Sequence, residues 1–176
     1  GSPTEEGEEP EELISIGCPA LEDPLRDGVR EAVERLREAG VRTVMVTGDK
    51  AETARQVAEE VGLDISTVAG RELIEMTDDE LAGAAADASI FARVTPEQKL
   101  RLTEALKRQG QVVAVTGDGV NDAPALRTAH IGVAMGVTGT DVAREAADLV
   151  LTDDDFSHLP EGVAIGRKAY ENFRKG

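Results

Sequence analysis

Two stretches of this chain climb an apolar ladder and break at the same three residues. Arg42-Thr-Val-Met-Val46 runs into Thr47-Gly48-Asp49, and Val112-Val-Ala-Val115 runs into Thr116-Gly117-Asp118. Short aliphatic runs closed by turn residues read as buried strands of a parallel sheet. In an open α/β sheet, ligands bind at the carboxyl ends of the strands. Two such ends carrying a hydroxyl, a glycine and a carboxylate suit an anion and a cation together. The second run continues as Gly119-Val-Asn121-Asp122-Ala-Pro-Ala-Leu126, so a second carboxylate follows Asp118 by four residues. Paired hard oxygen ligands at that place suit Mg²⁺ beside a phosphate. The alternative is two independent strand-ending turns, where Gly and Asp are common.

The rest of the chain alternates strand and helix patterns. Residues 13–16 read as a short strand, and residues 24–39 as a helix with Val29, Ala32, Val33 and Leu36 on one face and Gly40 closing it. A strand over 44–46 precedes a helix carrying Ala54, Val57, Ala58 and Val61. Thr77-Asp-Asp-Glu80 is a capping box that opens another helix. A strand over 89–92 leads to Thr95-Pro96-Glu97-Gln98, a helix start with cap, first-turn proline and box-closing glutamine. After the Asp118 strand come a helix over 124–129, a strand at Ile131–Met135, a helix from Asp141, a strand at Leu149–Leu151 and a long helix from about Ser157. Strands spaced by helices imply parallel βαβ units with right-handed crossovers.

At 176 residues the chain has the length of one domain and can bury a core. Aromatics are only 2% and Trp is absent, so that core must be Val, Leu, Ile and Ala. Lys plus Arg number 19 against 35 Asp plus Glu, a net charge of −16. Such a surface repels nucleic acid and anionic lipid, which removes both as direct partners. Cys18 is the one cysteine, which excludes an internal disulfide and fits a reducing compartment. No apolar run approaches the roughly 20 residues of a membrane span, and no signal-peptide pattern is present, so the chain is expected to be soluble. Gly1-Ser2-Pro3 is of the kind left by tag removal, and residues 5–12 carry six glutamates without apolar periodicity. Residues 1–12 are therefore expected to be a disordered acidic lead-in.

Taken together, Thr47-Gly-Asp49, Thr95-Pro-Glu-Gln-Lys99 and the run Thr116–Leu126 resemble the phosphorylation domain of P-type cation-transporting ATPases. That domain belongs to the haloacid dehalogenase superfamily, whose members transfer phosphoryl groups on an aspartate. Glu22-Asp-Pro-Leu-Arg26, Phe91-Ala-Arg93, Met135-Gly136, Gly139-Thr-Asp-Val142, Leu151-Thr-Asp-Asp-Asp-Phe156 and Gly166-Arg-Lys-Ala-Tyr170 extend the similarity over roughly residues 20–175, in the family's order. The Leu-Thr-Asp-Asp-Asp-Phe ending is more like the type II pumps for calcium, sodium and protons than the heavy-metal pumps.

The resemblance implies a Rossmann-like parallel α/β sheet of the haloacid dehalogenase type. It implies Mg²⁺ as cofactor and ATP as substrate of the parent pump. Asp118 would be the Mg²⁺ ligand and Asp122 its support, with Asn121 donating to a phosphoryl oxygen. Thr47 and the Gly48 amide would bind other oxygens, Lys99 would set a compact positive charge against phosphate and nucleophile, and Asp49 would hold water or ribose. Arg93 would reach a nucleotide-binding domain. For Lys99 alone, a solvated helix lysine is the ordinary alternative.

One departure matters as much as the match. The family's nucleophile is the aspartate of Asp-Lys-Thr-Gly-Thr on the central strand, and that motif does not occur here. Val137-Thr-Gly-Thr140 has valine before it and lies where the family has an unrelated Gly-Thr-Asp. The family's inserted nucleotide-binding domain has no counterpart either. The expectation is therefore residues 13–156 as the C-terminal part of a phosphorylation domain, with the central nucleophile strand missing or substituted. Residues 157–176 would be a stalk-like helix leading toward the membrane in the parent, whose partners are nucleotide-binding, actuator and membrane parts. This piece would sit on the cytoplasmic side and be inactive alone. A gap is expected between the Thr47 and Asp118 strands, filled by residues 13–16 (bringing Cys18 or Asp23 near the nucleophile position) or by strand exchange with a second copy. Two other readings stand beside this one: a free-standing phosphatase of the same superfamily, and a nucleophile-free module that binds Mg²⁺ and nucleotide.

Overall fold

The computed structural model describes residues 27–175. The expected strand at 13–16, Cys18, Asp23 and residues 24–26 lie outside them. Along the chain run α1 (Val29–Glu38), β1 (Met45–Val46), α2 (Ala51–Val61), β2 (Thr67–Ala69), α3 (Gly70–Glu75), α4 (Asp78–Asp87), β3 (Ile90–Ala92) and α5 (Pro96–Arg108). They are followed by β4 (Ala114–Gly117), α6 (Ala123–Thr128), β5 (Ile131–Met135), α7 (Asp141–Ala146), β6 (Leu149–Leu151) and α8 (His158–Lys175).

The strands form two parallel sheets rather than one. The first has the order β1-β3-β2 and the second β4-β5-β6. In the first, Met45 is in register with Ile90 and Val46 with Phe91. In the second, Thr116 is in register with Val133 and Gly117 with Ala134. Among the described residues, β1 and β4 are thus both edge strands.

Side-chain alternation along β3 explains why it is buried on both faces. Phe91 points into a cluster with Leu73, Leu81, Leu102 and Ala105 beneath α3, α4 and α5, while Ile90 and Ala92 meet Ala54 and Ala58 of α2. Full burial of a side chain such as Phe91 stabilises by about 2–3 kcal/mol. In the second sheet, Ala134 packs with Ala123, Leu126, Ala143 and Ala146 of α6 and α7. Those small residues let both helices approach the sheet closely, and Gly132 permits the same, because a Cβ there would lie 2.6 Å from the Leu126 carbonyl oxygen.

Local signals decide the helix starts. Thr77 caps α4 and Thr95 caps α5, each closing a full capping box, with Glu80 and Gln98 as the reciprocal acceptors. Two expectations need correction. The helix expected over 24–39 begins, within the described residues, at Val29 behind a left-handed Gly28. The run Val112–Val115 is not a buried strand: β4 starts at Ala114, Val112 is 81% exposed, and Val113 alone of that run is buried. The reason is that, among the described residues, β4 pairs with β5 alone.

Candidate functional site

The open edge of β4 faces a cleft of about 310 Å³, lined by Val46 of β1, Thr116 and Gly117 of β4, and Lys99, Asp118 and Asp122. In a parallel ladder, a residue turns its N–H and C=O to the same neighbour, and the next residue turns both the other way. The amides of Met45 and Thr47 bond to Ser89 and Phe91 of the β3 side, so Val46 directs its peptide groups into the cleft. The Val113 carbonyl accepts from Ile131 on the β5 side, so Thr116 by the same alternation directs its groups into the cleft as well. Among the described residues, the cleft is thus bordered by main-chain groups of both strands.

At the carboxyl end of β4 the chain turns at Gly117-Asp118-Gly119 into a single 3₁₀ turn, Val120–Asp122, and then into α6. Asp122 turns back on this loop: its Oδ2 accepts the amides of Asp118 at 3.3 Å and Gly119 at 3.1 Å. Its Oδ1 accepts from Lys99 Nζ at 2.7 Å. Lys99 reaches it from the first turn of α5, whose start is fixed by the Thr95–Gln98 capping box. Gly117 is required, since a Cβ there would lie 2.5 Å from Asp122 Cβ. Asp122 is 9% exposed, whereas Asp118 is exposed. Among the described residues no hydrogen bond or ion pair takes the Asp118 carboxylate. An unclaimed carboxylate at the cleft, beside a second one already anchored, fits a hard cation held by oxygen ligands.

The Thr47–Asp49 turn is built differently. Thr47 Oγ1 donates to Asp49 Oδ2 at 3.0 Å and accepts the Asp49 amide at 3.1 Å. The turn is bound to the end of β3: Arg93 N–H donates to the Asp49 carbonyl at 2.9 Å and Val94 N–H to that of Thr47 at 3.0 Å. Arg93 is exposed and sits at φ 55, in the left-handed region. The structure thus gathers the expected residues into two groups. Lys99, Asp118 and Asp122 share the cleft, whereas Thr47, Gly48, Asp49 and Arg93 form an adjoining patch. Asn121 is exposed on the 3₁₀ turn and does not line the cleft.

Asp154 also lines the cleft and was not among the expected site residues. It follows β6 at φ 58 and is 8% exposed. Burial alone would raise its carboxyl, but hydrogen bonds from Val137, Thr138 and Gly136 outweigh this and hold it at about 2. The three successive aspartates after a strand were the available sequence signal. A second titratable group stands nearby: His158 Nε2 lies 3.0 Å from Asp153 Oδ2, and that hydrogen bond raises the imidazole above its ordinary value.

The chain is similar to known proteins along most of its length. The family model for haloacid dehalogenase-like hydrolases matches residues 2–130. A calcium-transporting ATPase of Bacillus subtilis is 47% identical over 167 residues, covering 93% of this chain and 19% of that protein. A probable cation-transporting ATPase F of Mycobacterium bovis is 50% identical over 173 residues, covering 94% of this chain and 19% of that protein. Among solved structures, a zinc-transporting PIB-type ATPase in its E2.Pi state superposes with a TM-score of 0.69 at 33% identity, over 87% of this chain and 21% of that one. The catalytic domain of the CPx-ATPase CopB-B superposes with a TM-score of 0.60 at 28% identity, over 77% of this chain and 44% of that one. The chain therefore spans about one fifth of the length of these curated relatives.

Proposed function

Because the chain belongs to the haloacid dehalogenase-like hydrolase family, we propose that it is the phosphorylation-domain part of an ATP-driven cation pump, supplying every group of an aspartyl-phosphate site except the nucleophile. The observation that carries this is the cleft between β1 and β4. Its walls hold Lys99, Asp118 and Asp122, and its two strand edges point main-chain groups inward. A strand inserted there would be flanked by parallel partners on both sides and would end beside these three charged residues. In the whole protein that strand would bear the aspartate of an Asp-Lys-Thr-Gly-Thr motif. Two copies exchanging strands would close the same edges in its absence.

Asp118 would hold Mg²⁺, with Asp122 behind it, and the ion would supply positive charge against the oxygens of the transferred group. The chain's own residues do the rest by position and charge, as phosphoryl transfer requires. Lys99 brings a compact cation to the same carboxylate and can share it with phosphate. Asn121 and the Gly48 amide offer donors to further oxygens. The Thr47 hydroxyl must turn away from Asp49 to do so, which couples the phosphate site to the residue that would hold water or ribose. Exposed Arg93 beside Asp49 faces outward, as a contact to a nucleotide-binding domain needs. ATP would be the phosphoryl donor of the whole protein, and α8 its link toward membrane-spanning helices. No helix among the described residues is long and apolar enough to cross a membrane.

Mg²⁺-dependent hydrolysis of ATP and of a small aryl phosphate tests the reading, with Asp118→Asn as control. No turnover above the control is expected. Turnover that the substitution abolishes would reveal a nucleophile within this chain, and a free-standing phosphatase would replace the pump reading.

A further inference from the structure

Asp154 lies far from Asp118 in sequence but is tied to it through one turn of chain. Its carboxylate receives donors from that turn: Oδ1 accepts Val137 N–H at 2.9 Å, and Oδ2 accepts Thr138 N–H at 2.8 Å and the Thr138 hydroxyl at 2.7 Å. The carbonyls of the same turn are held from the other side by Arg144, which donates to Gly136 at 3.2 Å and also to Gly139. The turn is closed so tightly that a Cβ on Gly139 would lie 2.0 Å from the Met135 carbonyl oxygen. Thr140, which follows directly, caps α7 by accepting Ala143 N–H at 3.2 Å. Its own N–H donates to the Asp118 carbonyl at 2.8 Å.

We propose that Asp154 is a positioning residue: its carboxylate fixes the 136–139 turn, and that turn, through Thr140, fixes the main chain of the metal-ligating Asp118. The assignment rests on the reading of Asp118 given above. Asp154 also borders the cleft, but both of its oxygens already accept donors of the turn, which suits it to holding the turn rather than the cation. Its left-handed backbone is a conformation that residues with side chains adopt where the surroundings over-determine it. A carboxylate that stays ionised suits this task, because both of its oxygens accept and neither donates.

The test uses the full chain, titrated with MgCl₂ alone by calorimetry, and amide hydrogen exchange at Thr140 measured without Mg²⁺. In Asp154→Asn, which keeps a side chain tolerant of the left-handed backbone, Thr140 should exchange about tenfold faster. Mg²⁺ affinity should fall on the order of tenfold, the usual scale for loss of a group behind a metal ligand. Thr138→Val, which removes the hydroxyl donor, should shift both readouts in the same direction by less. Asp118→Asn should abolish Mg²⁺ binding and leave Thr140 protected. Unchanged Thr140 exchange in Asp154→Asn would overturn the proposal, as would an Asp154→Gly variant matching the unaltered chain in both readouts. Lost Mg²⁺ binding with intact Thr140 protection in Asp154→Asn would make Asp154 a ligand instead and also overturn it. If the unaltered chain takes up no Mg²⁺, the reading of Asp118 fails, while Thr140 exchange still decides whether Asp154 holds the turn.

Discussion

Lys99 Nζ and Asp122 Oδ1 stand 2.7 Å apart, and the other oxygen of that carboxylate holds the amides of Asp118 and Gly119. One side chain therefore joins α5 to the loop that carries Asp118. The pair is largely shielded, with side-chain exposures of 21% and 13%. Lys99→Met should lower stability by about 1–2 kcal/mol, since it leaves a shielded carboxylate with its amide donors but no counter-charge. Asp122→Ala should cost more, about 2–3 kcal/mol, because it strips two amides and an ammonium of their acceptor at once. Urea unfolding of both variants checks the order. A costlier Lys99→Met would mean that the amide bonds contribute little.

Asp118 should behave in the opposite sense. Both Asp118 and Asp122 line the cleft, and no described group neutralises the Asp118 carboxylate, so Asp118→Asn in metal-free buffer should leave stability unchanged or raise it by about 0.5–1 kcal/mol. Added Mg²⁺ should then stabilise the unaltered chain and not the variant, as linkage demands of a ligand that binds only the folded state. Thermal unfolding with and without MgCl₂ reads both effects, and a destabilised Asp118→Asn would give the residue a structural role instead.

Gly117→Ala tests how closely the loop is packed. The added methyl would meet Asp122 Cβ at 2.5 Å and Asp122 Cγ at 2.8 Å, so the loop or Asp122 must move. A loss of about 1–3 kcal/mol is expected, together with weaker Mg²⁺ binding. Calorimetry of the variant decides it, and unaltered binding would show that the Asp118–Asp122 spacing is not critical.

Stability should respond to pH at both ends of the range, with opposite signs. Asp154 is held at about 2, below the ordinary carboxylate value of 3.8. Its contribution is therefore full above about pH 4 and is lost as pH falls from there toward 2. His158 is raised above 6.5 by Asp153, so its contribution is full below that value and is lost as pH rises through the elevated one. The stability difference between the unaltered chain and Asp154→Asn should shrink below pH 4. The difference from His158→Gln should shrink as pH is raised from 6 to 9. Denaturation midpoints across pH show both, and flat differences would contradict the hydrogen bonds invoked.

Legibility in the sequence followed the range of the interactions. Strands β5 and β6 and the two capping boxes appeared as expected, because alternation and caps are written within a few neighbouring residues. Strand β2 and helix α3 were not foreseen. A three-residue strand carries no usable period, and Gly70 reads as a turn although it opens a helix. Its glycine answers a distant contact, since a Cβ there would meet the Arg93 carbonyl oxygen at 2.1 Å. The extent of β4 was misjudged for a related reason: an aliphatic run does not say whether neighbours lie on both sides. Among the residues proposed for the site, Asp118, Asp122 and Lys99 could be singled out in the sequence because each stands in a contiguous motif. The separation of the Thr47–Asp49 turn from the cleft was not, since it depends on where β3 ends. Asp154 was equally hidden, because the Val137 and Thr138 amides that it accepts lie 17 and 16 residues away.

The central claim is that these residues serve an aspartate delivered by a strand between β1 and β4. The direct measurement joins a strand ending in Asp-Lys-Thr-Gly-Thr to the chain and follows Mg²⁺-dependent transfer of labelled phosphate from ATP to protein. Acid-stable, hydroxylamine-sensitive label is expected with the added strand, absent without it, and lost when that aspartate or Asp118 is changed to Asn. Label that forms without the strand, or that survives Asp118→Asn, would contradict the claim, as would a folded joined chain that takes up none.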